Sequence, residues 1–435
     1  MEYKQAVSFL IAHFPQYQKV GMGGYKPYPA RMLSLVEWLG NPQLNYPCIH
    51  ITGTNGKGSV AHMLAAILQV SGLRTGLYTS PHLKDFRERM KVNGHMIPEE
   101  EVASFVTHYV ENKMQETGEE RPSFFDMTTA MAFQYFAQEK VDVAVIETGL
   151  GGRLDSTNIL TSQSVILSVI TNIGLDHCDL LGHTLSEIAE EKAGIIKPGV
   201  PVVLGEYHPE SFPVIKEQAG RLGSMLTCAY ENPGVGYSIE GDSLYQRKNL
   251  QTAYSAIEVL KKTQPKLMEY VTEAAVTEGL EHFESLTGLH GRWERVAESP
   301  AVILDTGHNA HGLAYLKEQL SKETYDHLYV VFGVVREKEL DRIANLLPRD
   351  ARYYFTQPGI ERALPAEDLY DWAGKQGLSG EMIPSVQDAF KKACATASPQ
   401  DMILVGGSTF TVADVVEIFF ARKENKSIFA VPLGA

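Results

Sequence analysis

The sequence predicts an α/β protein of two domains, each built on a parallel sheet. Three observations predict it. An apolar run, Ile49-His50-Ile51, stops at a glycine-rich turn and is followed at once by a helical pattern from Val60 to Val70. Two valine-rich segments, Val141 to Thr148 and Val165 to Ile173, alternate little, as strands buried on both faces do. From Ala301 to Arg422 strand-like and helix-like segments alternate, the pattern of a doubly wound sheet.

The first observation has chemical content. The turn reads Thr52-Gly53-Thr54-Asn55-Gly56-Lys57-Gly58-Ser59. A loop that opens a helix presents free N–H groups and the positive dipole end to an anion. Its glycines admit close approach of phosphate oxygens, Lys57 neutralises outer phosphates, and Ser59 or Thr54 offers a hydroxyl to phosphate or magnesium. Thr54, Asn55, Gly56, Lys57, Gly58 and Ser59 are the expected nucleotide contacts. The spacing departs from the usual phosphate loop: two residues, not four, separate Gly53 from Gly56. The fold class expected is therefore a P-loop nucleotide-binding domain with a parallel-sheet core, over residues 1–296. A smaller Rossmann-like α/β domain is expected over 297–435.

Taken in order, residues 2–13 and 31–39 read as helices around a Gly-, Tyr- and Pro-rich loop at 21–29. Arg31 follows that loop and suits an anionic substrate equally well as it suits a solvated helix start. Arg74 to Thr79 is a strand, broken at Ser80-Pro81-His82-Leu83. Asp85 to Met90 is dense in charge, and 92–97 is a short strand or turn. Helices follow at 98–116, with Pro98 at the first turn, and at 124–138, which is apolar on most faces. Val141 to Thr148 carries Glu147, a carboxylate at the C-terminal end of a parallel strand, where such sheets bind ligands and where it can hold magnesium. A structural ion pair is the plainer alternative for Glu147. The strand ending at Ile173 is followed by Asp176 and His177. Leu185 to Ile195 is a helix, Val200 to Leu204 a strand, and 223–247 a small antiparallel ribbon. Leu250 to Lys261 is a helix led by Asn249. Gly288 to Arg295 is a polar turn leaving the first domain.

Composition restricts the function classes. The chain has 435 residues and a formal net charge of −14, which disfavours nonspecific nucleic-acid binding. Four dispersed cysteines, with no paired spacing, suggest neither a disulfide framework nor a cysteine zinc site. The first residues carry no signal-peptide pattern, and no apolar run reaches membrane-spanning length, so a cytoplasmic monomer without membrane or nucleic-acid partners is expected.

The motifs together resemble the folylpolyglutamate synthase and dihydrofolate synthase family, relatives of the Mur ligases. The resemblance rests on 52–59, Ser80-Pro81-His82-Leu83, Glu147 through Asp155, Leu175-Asp176-His177, Glu191-Lys192-Ala193-Gly194-Ile195, Gly291-Arg292-Trp293-Glu294 and Leu304-Asp305-Thr306-Gly307-His308-Asn309. It implies an ATP- and magnesium-dependent ligase. A carboxylate of dihydropteroate or of a reduced folate takes the γ-phosphate, and L-glutamate then displaces phosphate from the acyl phosphate. It implies one magnesium near Ser80 and Glu147 and a second near His177. Lys192 matches a lysine carbamylated in the family, with Lys57, His177 and Lys192 as the catalytic set. Asn249, Arg292, Asp305 and His308 are implied at the nucleotide. Arg31, His82, Phe124, Phe125, Asp126, Leu154 and Asp155 are implied at the pterin-bearing substrate. Asp126 stands where many relatives have Glu. Arg336-Glu337-Lys338-Glu339 replaces a usual Asp-Lys-Asp segment, a candidate site for the incoming glutamate. The rival readings are a cell-wall ligase of the same superfamily, a switch-type GTPase, disfavoured by the lack of an Asn-Lys-x-Asp segment, and a nonenzymatic nucleotide-binding scaffold.

Overall fold

The computed structural model describes residues 1–14, 29–114, 121–232, 236–237, 239, 243–336 and 340–424. Residues 21–28 of the Gly-, Tyr- and Pro-rich loop and 337–339 of the altered charged segment lie outside the described residues. The chain divides into two compact units, Met1–Leu289 and His290–Ala435. The division falls upstream of the expected boundary at 296. The reason is local: Glu294–Glu298, whose first two residues were expected in a turn, is a strand that pairs antiparallel with the next strand, Ala301–Leu304.

The first unit holds an eight-stranded sheet. Its strands are β1 (Cys48–Thr52), β2 (Thr75–Tyr78), β3 (Met90–Val92), β4 (His95–Met96), β5 (Val143–Glu147), β6 (Val165–Ile170), β7 (Val202–Leu204) and β8 (Leu226–Cys228), in the spatial order β4-β3-β2-β5-β1-β6-β7-β8. β1 lies between β5 and β6, parallel to both, so the phosphate loop leaves the middle of the sheet with Glu147 on the neighbouring strand. β1 and β5 are wholly buried, which is why their sequences do not alternate. One face is covered by the helix Lys57–Val70, whose Val60, Met63, Leu64, Ile67 and Leu68 are buried together with Leu250, Ile257 and Leu260. The helix Phe124–Gln138 packs with Tyr78, Ala144 and Ile146 in a separate cluster. Its start is fixed by Ser123, whose hydroxyl accepts from the Asp126 N–H while Asp126 accepts from the Ser123 N–H.

Two expectations in this unit are corrected. The segment 223–247 is not an antiparallel ribbon: its described part gives β8, which runs parallel to β7, and then the start of a helix. That helix spans Leu244–Thr263, so Asn249 sits inside it rather than at its head. Helices at Phe212–Arg221, Glu273–Glu281 and Phe283–Thr287 were not expected from the sequence.

The second unit holds a six-stranded sheet of β9 (Glu294–Glu298), β10 (Ala301–Leu304), β11 (Leu328–Phe332), β12 (Arg352–Gln357), β13 (Ser379–Ser385) and β14 (Met402–Gly406). The order is β13-β12-β11-β14-β10-β9, parallel except for β9. Helices at Ala366–Lys375, Val386–Thr396 and Thr409–Glu424 fall where the alternation places them. The edge strands β9 and β13 were missed.

Candidate active site

The turn from β1 into the helix Lys57–Val70 is held by the strands beside it. Thr54 Oγ1 donates to Gly174 O at 3.0 Å and accepts from Gly174 N at 2.9 Å. Asn172 O accepts from Thr54 N at 3.0 Å, and Asn172 Oδ1 from Asn55 N at 2.9 Å. Asn172 in turn donates to Glu206 Oε1 at 2.9 Å, and Glu206 Oε2 accepts from Lys248 at 2.7 Å. The loop is therefore tied through Glu206 to the helix that carries Asn249.

Glycine is required here by space and by backbone. A Cβ on Gly53 would lie 1.8 Å from Thr171 Oγ1. Gly56 has φ +82°, and a Cβ there would lie 2.2 Å from Asn249 Oδ1. Asn249 is buried and donates through Nδ2 to Gln246 Oε1 at 2.8 Å, which aims its carbonyl oxygen toward the loop. Of the two candidate hydroxyls, Thr54 is occupied by Gly174, while Ser59 Oγ is buried without a hydrogen-bond partner among the described residues. Ser59 is thus the hydroxyl left for a phosphate oxygen or a cation.

Two ammonium groups converge on one carbonyl. Gly53 O accepts from Lys57 Nζ and from Lys192 Nζ, each at 2.9 Å. Lys57 also reaches Thr54 O at 3.3 Å. Lys192 projects from the helix Leu185–Ala193 and is only 3% exposed. Burial, and then the Lys57 charge, pull its ammonium down to about 7, with Asp176 opposing. Glu147, buried at the end of β5, accepts from Ser80 N at 3.1 Å. A Cβ on Gly58 would lie 3.7 Å from Glu147 Oε2, so this carboxylate overhangs the first turn of the phosphate-loop helix. His177 has a left-handed backbone, φ 49°, and its Nε2 stands 4.0 Å from Asp176 Oδ2. Lysines 57 and 192 and the glutamate are thus brought to one turn, while His177 stands beside Asp176.

Among the described residues no three His, Cys, Asp or Glu groups form a metal cage. That does not exclude magnesium, which keeps waters and takes one or two carboxylates plus phosphate oxygens. Glu147 with the unpartnered Ser59 hydroxyl fits that donor set, and Ser80 lies beside them.

The residues implied at the substrate make the following contacts. His82 Nδ1 accepts from Arg89 Nε at 2.7 Å. Burial and the Arg89 charge hold His82 neutral, down at about 3. The Phe86 ring contacts both His82 and Phe124 edge-on, and Phe125 lies 6.0 Å from Tyr78. Arg31 Nε is 3.8 Å from Asp126 Oδ2, and Ser156 donates to Asp126 Oδ1 at 2.5 Å. Asp155 is buried, and its two oxygens accept from Gly149 N, Leu150 N, Thr157 N and Thr157 Oγ1. It staples the loop that presents Leu154, which is half-buried. Burial raises the Asp155 carboxyl above the usual range despite those bonds. Arg89 was not foreseen, because it is hidden in a charge-dense segment that reads as solvated surface.

In the second unit, Asp305 ends β10 and is buried. Its Oδ2 accepts from Trp293 N at 2.9 Å and its Oδ1 from Gly307 N at 2.7 Å. It therefore fixes the two segments that carry Arg292 and His308. Arg292 donates to Gly291 O at 3.1 Å, and His308 Nδ1 lies 2.9 Å from Thr306 O. Asn309 caps the helix Ala310–Leu320 by accepting from Gly312 N.

A phosphate loop beside a strand-end carboxylate, with a second α/β unit after it, fits an ATP-dependent ligase of the Mur type. The Mur ligase middle domain matches residues 51–204, and the Mur ligase, glutamate ligase domain matches residues 291–409. The dihydrofolate synthase/folylpolyglutamate synthase of Bacillus subtilis (strain 168) is 33% identical over 420 residues, covering 90% of this chain and 95% of that protein. The structure of E. coli FolC in complex with DHPP and ADP superimposes with a TM-score of 0.81 at 29% identity, over 97% of this chain and 99% of that one. The bifunctional enzyme of Yersinia pestis, complexed with AMPPNP and Mn ion, gives a TM-score of 0.79 at 27% identity, over 97% of this chain and 98% of that one. The chain belongs to the folylpolyglutamate synthase/dihydrofolate synthase family.

Proposed function

We propose that this chain joins L-glutamate to the carboxylate of a reduced folate, extending its polyglutamate tail, and to that of dihydropteroate, making dihydrofolate, at the expense of ATP. The observation that carries the reading is the meeting of Lys57, Lys192 and Glu147 at one glycine-rich turn. The chemistry must bring two anions, a triphosphate and a carboxylate, into contact, and the Lys57 charge, together with the cations that Glu147 and a carbamylated Lys192 would hold, lowers that barrier. In the first step a carboxylate oxygen attacks the γ-phosphorus, the bridging P–O bond breaks, and ADP leaves. In the second, the glutamate amine attacks the acyl carbon, sheds a proton, and phosphate departs with the C–O electron pair.

The roles follow from placement. The loop N–H groups and Lys57 hold the outer phosphates. Ser59, Glu147 and Ser80 would hold one divalent cation, and His177 with Lys192 a second. Such cations, when bound, neutralise charge between the triphosphate and the incoming carboxylate. Phe124 and Phe125 offer faces to a flat pterin, with His82, Arg31, Asp126 and the Leu154–Asp155 loop around it. Asn249, Arg292, Asp305 and His308 serve the nucleotide.

Lys192 works as its carbamate. The neutral amine takes up carbon dioxide and loses a proton, and a buried cation beside a metal becomes an anion that supports it. Burial of the amine next to Lys57 supports this, since a second ammonium there is disfavoured. A carbon-13 carbamate resonance after labelled bicarbonate is expected in wild type and not in Lys192→Arg. An unmodified amine in the active, metal-loaded enzyme refutes it.

We place the enzyme in the cytoplasm as a monomer. Dispersed cysteines and a reduced-folate substrate support the compartment. Among the described residues no helix is long and apolar enough to cross a membrane. Sedimentation at micromolar concentration tests the oligomeric state.

The functional test is phosphate release. Purified enzyme with ATP and magnesium should release phosphate only when glutamate and either dihydropteroate or tetrahydrofolate are both present. Release with a cell-wall precursor instead, or with no acceptor, overturns the reading.

A further inference from the structure

Arg89 is an electrostatic anomaly. It ends the short turn Phe86–Arg89 and is 2% exposed, among the largest fully buried side chains of the molecule. A buried guanidinium is normally paired with a carboxylate, because the bare charge costs several kcal/mol. Arg89 has no carboxylate within ion-pair distance among the described residues. Its one hydrogen bond among them runs from Nε to His82 Nδ1, at 2.7 Å. That acceptor is a neutral imidazole and supplies no countercharge. The four N–H donors of the two η nitrogens have no acceptor among the described residues. Glu147, Glu88 and the Tyr78 hydroxyl act on Arg89 only through the field, and Glu88 is committed to the N–H groups of Leu83, Lys84 and Asp85.

Its position says which anion is missing. The guanidinium carbon lies 5.5 Å from the centre of the Phe124 ring, one of the faces offered to the pterin. His82, which it bonds, follows two residues after Ser80, whose N–H donates to Glu147, the carboxylate that overhangs the phosphate loop. A guanidinium against the aromatic platform and on the segment that meets this carboxylate stands near the reacting end of the acceptor. We propose that Arg89 binds the acceptor's reacting carboxylate and orients it for attack on the γ-phosphate. This rests on the folate-ligase reading above. The guanidinium fork matches two carboxylate oxygens, and His82, neutral and accepting, fixes the plane of the fork. The bound carboxylate supplies the countercharge that Arg89 lacks among the described residues.

The test compares acid and amide forms of the acceptor. Dihydropteroate and its neutral carboxamide are titrated into wild type without nucleotide or metal, and then into Arg89→Gln and Arg89→Lys. Wild type should prefer the acid at least tenfold. Arg89→Gln should lose the preference while binding the amide as wild type does. In turnover it should raise the acceptor KM and lower kcat at least 100-fold together, with ATP affinity within twofold, and Arg89→Lys should recover part of the loss. A folded Arg89→Gln that keeps the acid preference overturns the proposal. If Arg89→Gln does not fold, wild type binding the amide as tightly as the acid overturns it without any variant. Wild type that turns over both acceptors normally while either result holds leaves the ligase reading intact and removes Arg89 alone. Wild type without acceptor-dependent turnover removes both.

Discussion

Gly56→Ala isolates the tightest geometric requirement at the phosphate loop. The residue has φ +82°, where an alanine costs roughly 1–2 kcal/mol relative to glycine. The new Cβ would also sit 2.2 Å from Asn249 Oδ1, well inside contact distance. The cheapest relief is rotation of Asn249, which breaks its 2.8 Å bond to Gln246 and costs about 1 kcal/mol more. Together the change should cost about 2–3 kcal/mol. Because the strain falls on the nucleotide loop, most of it should appear in binding, as a loss of roughly 30- to 150-fold in ATP affinity. Calorimetric titration with ATP and urea unfolding of the unliganded chain measure the two shares. Asn249→Ala supplies the control, since removing the oxygen removes the clash but not the backbone strain. In a double-mutant cycle the cost of Gly56→Ala, summed over ATP affinity and stability, should shrink by about 1 kcal/mol in the Asn249→Ala background. ATP affinity and stability both within experimental error of wild type would refute the reasoning. Strict additivity in the cycle would refute the clash with Asn249.

Three further outcomes are expected. Lys57→Ala should lower turnover by about 100-fold or more with little change in melting temperature, because the lysine bonds the loop rather than the core; near-normal turnover in a folded variant contradicts it. Asp155→Asn turns an amide N–H toward one of the N–H donors that the carboxylate now accepts from, and should cost about 2–4 kcal/mol in urea unfolding; a change under about 0.5 kcal/mol, the usual range for surface substitutions, contradicts the staple. Burial holds Lys197 down at about 8, against 10.5 in the unfolded chain, so the unfolded state binds the extra proton between those values and stability rises with pH across that window. Lys197→Met should flatten the rise by up to about 1.4 kcal/mol per pH unit, leaving the parallel contribution of Lys91, also held near 8; an unchanged slope contradicts it.

What was legible in the sequence was what depends on local chemistry. β5 announced itself because a central parallel strand is valine-rich on both faces, and Glu147 ends it as expected. The helix Phe124–Gln138 has the bounds read from its pattern, fixed by the Ser123–Asp126 box. The losses have physical reasons. The first turn of the helix Leu244–Thr263 contains Tyr245-Gln246-Arg247-Lys248, whose mostly polar side chains interrupt the apolar period. β9 is half-exposed at a sheet edge, and β13 carries Pro384 and polar residues, so neither looks like a buried strand. At the site, the motifs named Lys57, Glu147 and Lys192, but the sharing of the Gly53 carbonyl joins residues 139 apart and appears only in the fold. Arg89 left no signal, because nothing in Asp85 to Met90 distinguishes a buried arginine from its solvated neighbours.

In the proposed reaction the acceptor's carboxylate, and not water, takes the γ-phosphate, and isotope transfer distinguishes the two. Dihydropteroate labelled with oxygen-18 in its carboxylate is turned over with ATP, magnesium and L-glutamate, and the released phosphate is analysed by mass. An acyl phosphate requires one labelled oxygen to pass from the carboxylate into each phosphate released. Phosphate that carries no label, formed at the same rate as the amide, would contradict the account.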